Sequence, residues 1–359
     1  MSTKIWHLIT RSKEGLLALL LIGAFNTMLS QPIRDYDEEM QAKHAELKGY
    51  DPGYRVNYFE NIILRSFFKS NASNFQFRTL DGEQLIDLIP AGEFLIGISF
   101  DYKWIALEAS FTPKFLINNE VENPDATAYN FNLNFFYSDR WRQEFSFTYN
   151  EGFINRRPSF GATTFDEPVF FNNTTLLTIQ GSTFFIANKN YSYRAHYAQT
   201  ERQLKSAGSL IPRLRYTFSE VDPNLQDESE FQTVKFQSFD IMAQLGYLYT
   251  LVVKRKWYAT LGLHLGGGYN SVVYDVGNSR DEIFNSFIFA VEPEISLGYN
   301  NYRWFFGLNA NWKNYNNTNN ETGQFSRDQS YFNIHLGYRL NDNKPMRNFF
   351  GWFEDNLGF

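Results

Sequence analysis

The sequence contains no cysteine, so disulfide bonds and thiolate metal ligands are excluded. Beyond residue 30 it also lacks any run approaching the roughly 18 apolar residues that a membrane-spanning helix requires. Its mean hydropathy of −0.41 is too low for a helical membrane protein. There is no excess of basic residues, because 33 Lys and Arg stand against 39 Asp and Glu. This balance argues against a nucleic-acid partner.

What the sequence does contain, from Ala91 to Asn341, is a repeated alternation of apolar and polar residues. In one stretch every second position is apolar: Trp304, Phe306, Leu308, Ala310 and Trp312. A period of two is typical of a β-strand with two different faces. Aromatic residues make up 18% of the chain and can supply interfacial girdles. With no helices to cover the apolar faces, the pattern predicts an all-β fold, an antiparallel transmembrane β-barrel of about 12 strands (10–14).

The connections between the predicted strands alternate between short turns and long polar segments, as in outer-membrane barrels. The predicted strands are Glu60–Lys69, Ala91–Asp101, Lys103–Lys114, Ala128–Ser138, Arg140–Asn150, Thr174–Ala187, Tyr191–Ser219, Phe236–Val252, Lys256–Tyr269, Asn285–Tyr299, Tyr302–Asn314 and Ser330–Leu340. The alternation continues through the chain only if Tyr191–Ser219 is one long strand, kinked near residues 206–209. That length far exceeds the roughly 9–11 residues needed to cross a bilayer. We therefore expect a projecting or bent strand there, and both chain ends in the periplasm.

The first thirty residues have the features of a secretory signal peptide. Lys4, Arg11 and Lys13 precede a short apolar core at Leu16–Phe25, and we expect cleavage near Ser30. Because this segment carries three basic residues and one acidic residue, its removal changes the net charge from −6 to −8.

Three further regions follow the signal peptide 1–30. Residues 31–58 are predicted to form a periplasmic N-terminal segment, and residues 59–341 to form the outer-membrane barrel. Residues 342–359 place their apolar side chains at helical spacing, which predicts an amphipathic C-terminal helix. Such a helix would lie at the membrane interface or pack against the barrel mouth.

Charged residues fall mostly on the strand face opposite the aromatic residues, and therefore point into the lumen. Both signs occur there, with no single-sign ring of the kind that selects ions. Long side chains can partly fill a barrel of twelve strands, and mixed Arg and Glu are expected to pair. The predicted polar network of the lumen consists of Glu108, Glu144, Arg194, His196, Glu201, Arg202, Lys205, Glu292 and Glu294. The alternative is a lumen that conducts or binds a ligand.

Two patterns invite a catalytic interpretation. Glu292 and Glu294 resemble a carboxylate pair, but any strand with a polar face produces this spacing. His264 and Ser271 invite comparison with the Ser–His dyad of outer-membrane lipid hydrolases. The alternation, however, places His264 in the lumen and not on the lipid face. We therefore predict no catalytic residues, no metal site and no cofactor.

Residues 190–197 (NYSYRAHY) and 200–209 (TERQLKSAGS) resemble a known protein family. This run resembles the YSYRA…ERQ.KSAGS signature of an uncharacterised, domain-of-unknown-function family of Bacteroidota outer-membrane β-barrel proteins. The hairpins at 97–104 and 297–304 are similar to further markers of that family. The resemblance spans roughly Tyr50–Leu340 and implies an outer-membrane location without an established activity. On the predicted strand, the motif forms either a buried polar lock or a ligand or partner site at the outer mouth.

These observations predict a non-enzymatic outer-membrane protein, a structural, assembly or partner-binding component with a largely filled polar lumen. The first alternative is a narrow channel or transporter for small solutes. The second is an outer-membrane lipid-modifying enzyme. The expected partners are outer-membrane lipid and proteins of a membrane complex, and no nucleic acid.

Overall fold

The computed structural model describes residues 38–58, 60–78, 84–117, 126–155, 159–160, 163–164, 169–222, 235–275, 282–317 and 324–357. Within these ranges there are two α-helices, α1 (Glu38–Lys48) and α2 (Lys344–Leu357). Neither of them is long and apolar enough to cross a membrane. The predicted signal peptide, residues 1–30, lies outside the described residues.

Most of the described chain is β-strand. The strands are β1 (Arg55–Asn57), β2 (Asn61–Arg78), β3 (Gln84–Pro90), β4 (Phe94–Tyr102), β5 (Ile105–Phe111), β6 (Thr127–Phe136), β7 (Trp141–Asn155), β8 (Ser159–Phe160), β9 (Thr163–Thr164), β10 (Val169–Phe185), β11 (Glu201–Gln203), β12 (Ala207–Asp222), β13 (Lys235–Val253), β14 (Trp257–Asp275), β15 (Glu282–Asn300), β16 (Trp304–Asn317) and β17 (Gln324–Asn341).

Twelve of these strands form a closed wall. Each wall strand pairs antiparallel with the next wall strand along the chain. The wall strands are β2, β4–β7, β10 and β12–β17. The ring closes where β17 pairs with β2, from Asn341 opposite Asn61 to Gln324 opposite Arg78. The predicted twelve-stranded antiparallel barrel is therefore confirmed.

The two faces of the wall differ as the alternation predicts. Along β13 every even-numbered residue from Phe236 to Thr250 is buried, whereas Leu245, Tyr247 and Leu251 on the outer face are exposed. Exposed apolar residues continue around the barrel on the neighbouring strands. An apolar surface of this extent requires lipid or another protein to cover it, and a belt on a closed barrel fits lipid.

Short connections gather at one end of the barrel, which we call the turn end. They join β4 to β5, β6 to β7, β13 to β14, and β15 to β16, and the wall also begins at Asn61 and finishes at Asn341 on this end. The longer connections lie at the opposite end, the loop end. Trp141, Trp257 and Trp304 stand at the turn end with 48%, 50% and 47% of their surface exposed, which is typical of an interfacial girdle.

The prediction of one strand over Tyr191–Ser219 is wrong. β12 begins only at Ala207, and residues 188–206 leave the wall and fold into the lumen at the turn end. Gln199 has a φ of +56°, which a continuous strand does not tolerate. The count of twelve survives because β10 pairs directly with β12, from Thr175 opposite Asp222 to Phe184 opposite Arg213.

The connection between the predicted strands Glu60–Lys69 and Ala91–Asp101 is also more regular than expected. β2 continues to Arg78 beyond the predicted end at Lys69, and β3 pairs with both β2 and β7. β3 therefore bridges β2 and β7 at the loop end, beyond the shorter strands β4–β6.

Helix α2 packs on the outer surface of the wall at the turn end. The ring of Phe350 lies 4.8 Å from that of Tyr102 and 5.6 Å from that of Trp104, measured between centroids. The ammonium of Lys103 lies 2.7 Å from the carboxylate of Glu354. Phe349, the residue before Phe350, is 61% exposed, so part of the apolar surface of the helix is uncovered.

Candidate functional site

Two separate pieces of chain meet inside the turn end and form what we call the plug, residues 50–58 and 188–206. β1 pairs antiparallel with β11 in a two-stranded sheet that is separate from the barrel wall. The amide of Leu204 donates to the carbonyl of Tyr54 over 2.6 Å. Leu204 also packs against Val56 and Tyr58. Residues 50–58, predicted as part of a periplasmic N-terminal segment, therefore lie in the lumen.

Glu201 is the central acceptor of the plug. Its carboxylate accepts hydrogen bonds from Arg55 (3.1 Å), Asn57 (3.3 Å) and Ser192 (2.5 Å). Arg55 also reaches Asp139, in the turn between β6 and β7, at 2.6 Å. Burial alone would lower the pKa of Arg55, but the carboxylates of Glu201 and Asp139 outweigh it and raise that pKa. The two chain pieces are thus joined by a buried, paired charge.

Backbone carbonyls of the plug are bound by arginines of the wall. Arg339 of β17 donates to the carbonyl of Gln199 over 2.8 and 3.1 Å, and its guanidinium lies 3.8 Å above the ring of Tyr58. Arg65 of β2 donates to the carbonyl of Tyr197 over 2.6 Å. The hydroxyl of Tyr197 in turn donates to Glu294 over 3.2 Å. Buried carbonyls need such donors, so these contacts fix the path of the plug.

An aromatic cluster encloses the guanidinium of Arg142 where the plug meets β7. The guanidinium lies 4.8 Å from the ring centroid of Tyr193 and 5.0 Å from that of Tyr197, within cation–π range. The two tyrosine rings stack at 4.5 Å. His196 lies beside them, and its Nε2 is 2.8 Å from the hydroxyl of Tyr191. Burial, together with the charge of Arg142, lowers the pKa of His196 to about 3. His196 is therefore neutral at pH 7.

The wall above the plug carries two ion clusters. In one, Arg213 and Arg215 of β12 both bind Glu292 of β15, which also accepts from Gln244 over 2.9 Å. In the other, Glu108 of β5 binds Lys69 at 2.8 Å and Arg65 at 3.3 Å. The first cluster lies in the half of the lumen bounded by β12–β15.

The other half of the lumen contains an open polar space, which we call the chamber. Its volume is about 170 Å³, and Tyr197 and Ala198 of the plug form its floor. An apolar cluster lies towards the loop end, and its members are Phe153, Leu176, Val221, Phe236 and Val272. The lumen is therefore layered, with the plug at the turn end, the chamber in the middle and an apolar layer beyond it.

The residues of the predicted network divide into two groups. Glu108, Glu144, Glu292 and Glu294 point into the lumen from the wall. The second group lies in the plug at the turn end and not on a wall strand, and consists of Arg194, His196, Glu201, Arg202 and Lys205. The predicted position of this group on a long wall strand is therefore wrong.

The plug residues also have other partners than expected. Arg194 donates to the carbonyl of Lys103 over 3.1 Å and lies 4.2 Å from the ring centroid of Phe136. Burial lowers the pKa of Arg194. Arg202 is half-buried, and exposed Lys205 lies 5.1 Å from the ring of Tyr54.

Three residues central to the site were absent from the predicted network. Arg213 and Arg339 occupy positions that alternation places on the lumen face, but alternation does not identify their partners. No sequence pattern points to Arg55, because a short strand in a polar segment shows no periodicity of apolar residues. Among the described residues, no group of His, Cys, Asp or Glu could hold a metal ion.

Fold and site together define a class: a closed twelve-stranded barrel with an apolar outer belt and an internal plug. The chain belongs to the family described as a domain of unknown function (DUF4421), whose model matches residues 49–340, plug and barrel together. No curated protein matches the chain.

Solved structures of outer-membrane barrels are similar to it at low identity. The outer membrane protease OmpT from Escherichia coli has a TM-score of 0.38 at 8% identity, with 80% of this chain and 98% of that chain covered. The translocator domain of the autotransporter NalP from Neisseria meningitidis has a TM-score of 0.39 at 11% identity, covering 84% and 95%. The toluene transporter TodX from P. putida has a TM-score of 0.26 at 5% identity, covering 79% and 91%. Scores this low carry no argument about activity.

Proposed function

We propose that the protein is a non-enzymatic barrel of the outer membrane, closed to solute flow at rest, which serves as a structural or partner-binding component. The apolar belt and the even number of antiparallel strands support the location. The resemblance of residues 190–209 to the family signature supports an origin in the envelope of a Bacteroidota species.

One observation supports the proposal that the barrel is closed. The plug occupies the turn end of the lumen and is bound to the wall on several sides. Arg339 of β17, Arg65 of β2 and Asp139 before β7 each bind a plug residue. Because these contacts are buried and hydrogen-bonded, leaving them costs free energy, and the plug stays in place.

Conductance in planar lipid bilayers tests this proposal. The purified wild-type barrel should show no steady conductance. Arg339→Ala removes the donor to the Gln199 carbonyl and should produce intermittent openings, because the plug loses its contact with β17. Arg255→Ala, in the exposed turn between β13 and β14, is the matched control and should stay closed. A steady conductance of the wild type would overturn the closed state and favour the narrow channel, which the polar chamber supports.

The location of the histidines bears on the enzyme alternative. His44 lies in α1, and His196, His264 and His335 are buried in the lumen, so within the described ranges no histidine faces the lipid. A Ser–His dyad acting on lipid would need that position.

A partner is most readily accommodated at the turn end, where α1, α2 and the plug are gathered. A photo-crosslinking residue at Leu47, which is 79% exposed on α1, should capture such a protein in intact cells. The same residue at Asn173, near the loop end of β10, is the control. Capture at Asn173 alone would contradict a partner at the turn end. Capture at neither position would argue against partner binding and favour a structural role.

A further inference from the structure

The walls of the chamber are rich in carboxamide side chains. Eight of its 24 lining residues are Asn or Gln. A carboxamide offers both donors and acceptors, and so matches the hydroxyl groups of a polyol better than it matches an apolar ligand. The volume of about 170 Å³ is below the ~300–1,000 Å³ of sites for drug-sized ligands, and therefore suits one sugar ring.

Part of this hydrogen-bonding capacity is unused. The side chains of Gln180, Asn311, Lys313 and Gln329 form no hydrogen bond or ion pair with any other residue that the structure describes. Lys313 lies directly opposite Gln329 across β16 and β17, and Asn311 lies opposite Tyr331. Three of the four unused groups thus form one patch of the wall.

The charges around the chamber leave a positive excess at Lys313. Arg142 is paired with Glu144, and Lys69 with Glu108. Lys313 itself interacts electrostatically with Arg213, Arg215, Glu292 and Glu144. Glu292 is already shared by two arginines, so it does not neutralise Lys313 as well. Among the described residues no carboxylate forms an ion pair with Lys313, and an anionic ligand in the chamber can supply that partner.

We propose that the chamber binds a small hydroxylated organic anion of the sugar-acid class. The carboxylate lies on the ammonium of Lys313, and the ring hydroxyls bind Asn311 and Gln329, with Gln180 on the facing wall. This site is independent of whether the barrel conducts, and it goes beyond the structural role proposed above.

Calorimetric titration of the full-length barrel in detergent tests the site, with galacturonate, galactose and acetate as probes at constant ionic strength. Galacturonate should bind more tightly than galactose, which lacks the carboxylate, and than acetate, which lacks the hydroxyls. Lys313→Gln should raise the Kd for galacturonate about tenfold or more, because a charge-assisted hydrogen bond is lost. Its affinity for galactose should not change.

Two variants serve as controls. Lys313→Arg keeps the charge and should keep the preference for galacturonate. Lys235→Gln removes a lysine at the loop end, paired with Glu220 at 2.9 Å, and should change nothing. Equal affinity for galacturonate and galactose, an unaltered preference in Lys313→Gln, or no binding at concentrations of about 10 mM would each overturn the proposal.

If Lys313→Gln does not fold, the double variant Asn311→Ala and Gln329→Ala tests the hydroxyl contacts. A loss of galactose affinity supports the site, and an unchanged affinity for galacturonate overturns it. Digalacturonate distinguishes two sources of a sugar acid, namely a free monosaccharide and the end of an acidic polysaccharide. Binding as tight as that of the monomer indicates the end of an acidic polysaccharide, whereas weaker binding indicates a free sugar acid.

Discussion

Single charged residues hold the plug, and their pairing follows from burial. Arg339 and Arg65 donate to plug carbonyls from the wall, and Arg55 binds Glu201 inside the plug. These contacts join residues 140, 132 and 146 positions apart in sequence. Such contacts depend on how the strands curve around one another and on which segment enters the lumen.

Replacing Glu201 by Gln should loosen the plug. The carboxylate is 1% exposed and Arg55 is 2% exposed, so the neutral amide leaves Arg55 with Asp139 as its one remaining carboxylate partner. We expect a loss of about 2–3 kcal/mol in the free energy of opening, measured by hydrogen exchange at the amides of β11.

Glu220→Gln is the matched control for this change, because Glu220 pairs with Lys235 at the surface. Exposed pairs of this kind contribute about 0–1 kcal/mol. Equal effects of the two substitutions would mean that Glu201 does not hold the plug.

His196 should make the plug sensitive to acid. Its pKa falls from 6.5 to about 3 because it is buried and close to Arg142, with Tyr191, Tyr193, Tyr197 and Tyr258 as its other ring neighbours. Between these two pH values the unfolded chain binds a proton that the folded plug excludes, so stability falls as the pH falls. From pH 7 to pH 4, the melting temperature of the wild type should drop more than that of His196→Gln. Parallel melting curves would show that His196 is solvated.

The sequence predicts the wall strands better than it predicts the plug. A wall strand has one face in lipid and one in the lumen, so it leaves an alternating pattern, as in β13 and β16. Residues 191–197 alternate in the same way, yet Tyr191, Ser192 and Tyr193 are all buried, because the barrel surrounds this segment on every side. Alternation alone does not distinguish a segment in the wall from one inside it. Pairing with residues 55–57 was equally invisible, because it joins parts of the chain far apart in sequence.

Helix α2 should detach when its buried ring is removed. Phe350 packs between Tyr102 and Trp104, whereas Phe349 faces away from the barrel. Phe350→Ala loses part of the roughly 3–5 kcal/mol of a fully buried ring and should expose α2 to chymotrypsin. Phe349→Ala, the control on the same helix, should be cleaved no faster than wild type. Equal cleavage of both variants would argue that lipid, and not the wall, holds α2.

The whole molecule combines a wall that sequence predicts well with an interior that it predicts poorly. Strand number, closure and the presence of helix α2 follow from local patterns along the chain. The chamber is bounded by wall strands from several parts of the chain and by Tyr197 and Ala198 of the plug. Its shape is therefore a property of the assembled barrel, and no segment of the sequence carries it alone.

Orientation in the membrane can be tested with single cysteines, because the chain has none of its own. Arg255→Cys places a thiol in an exposed turn at the turn end, and Asn173→Cys places one at the loop end. If the turn end faces the periplasm, as short turns do in outer-membrane barrels, a membrane-impermeant maleimide added to intact cells should label Asn173→Cys alone. After lysis it should label both variants. Labelling of Arg255→Cys on intact cells would invert the barrel, place the plug at the cell surface and require both chain ends to lie outside.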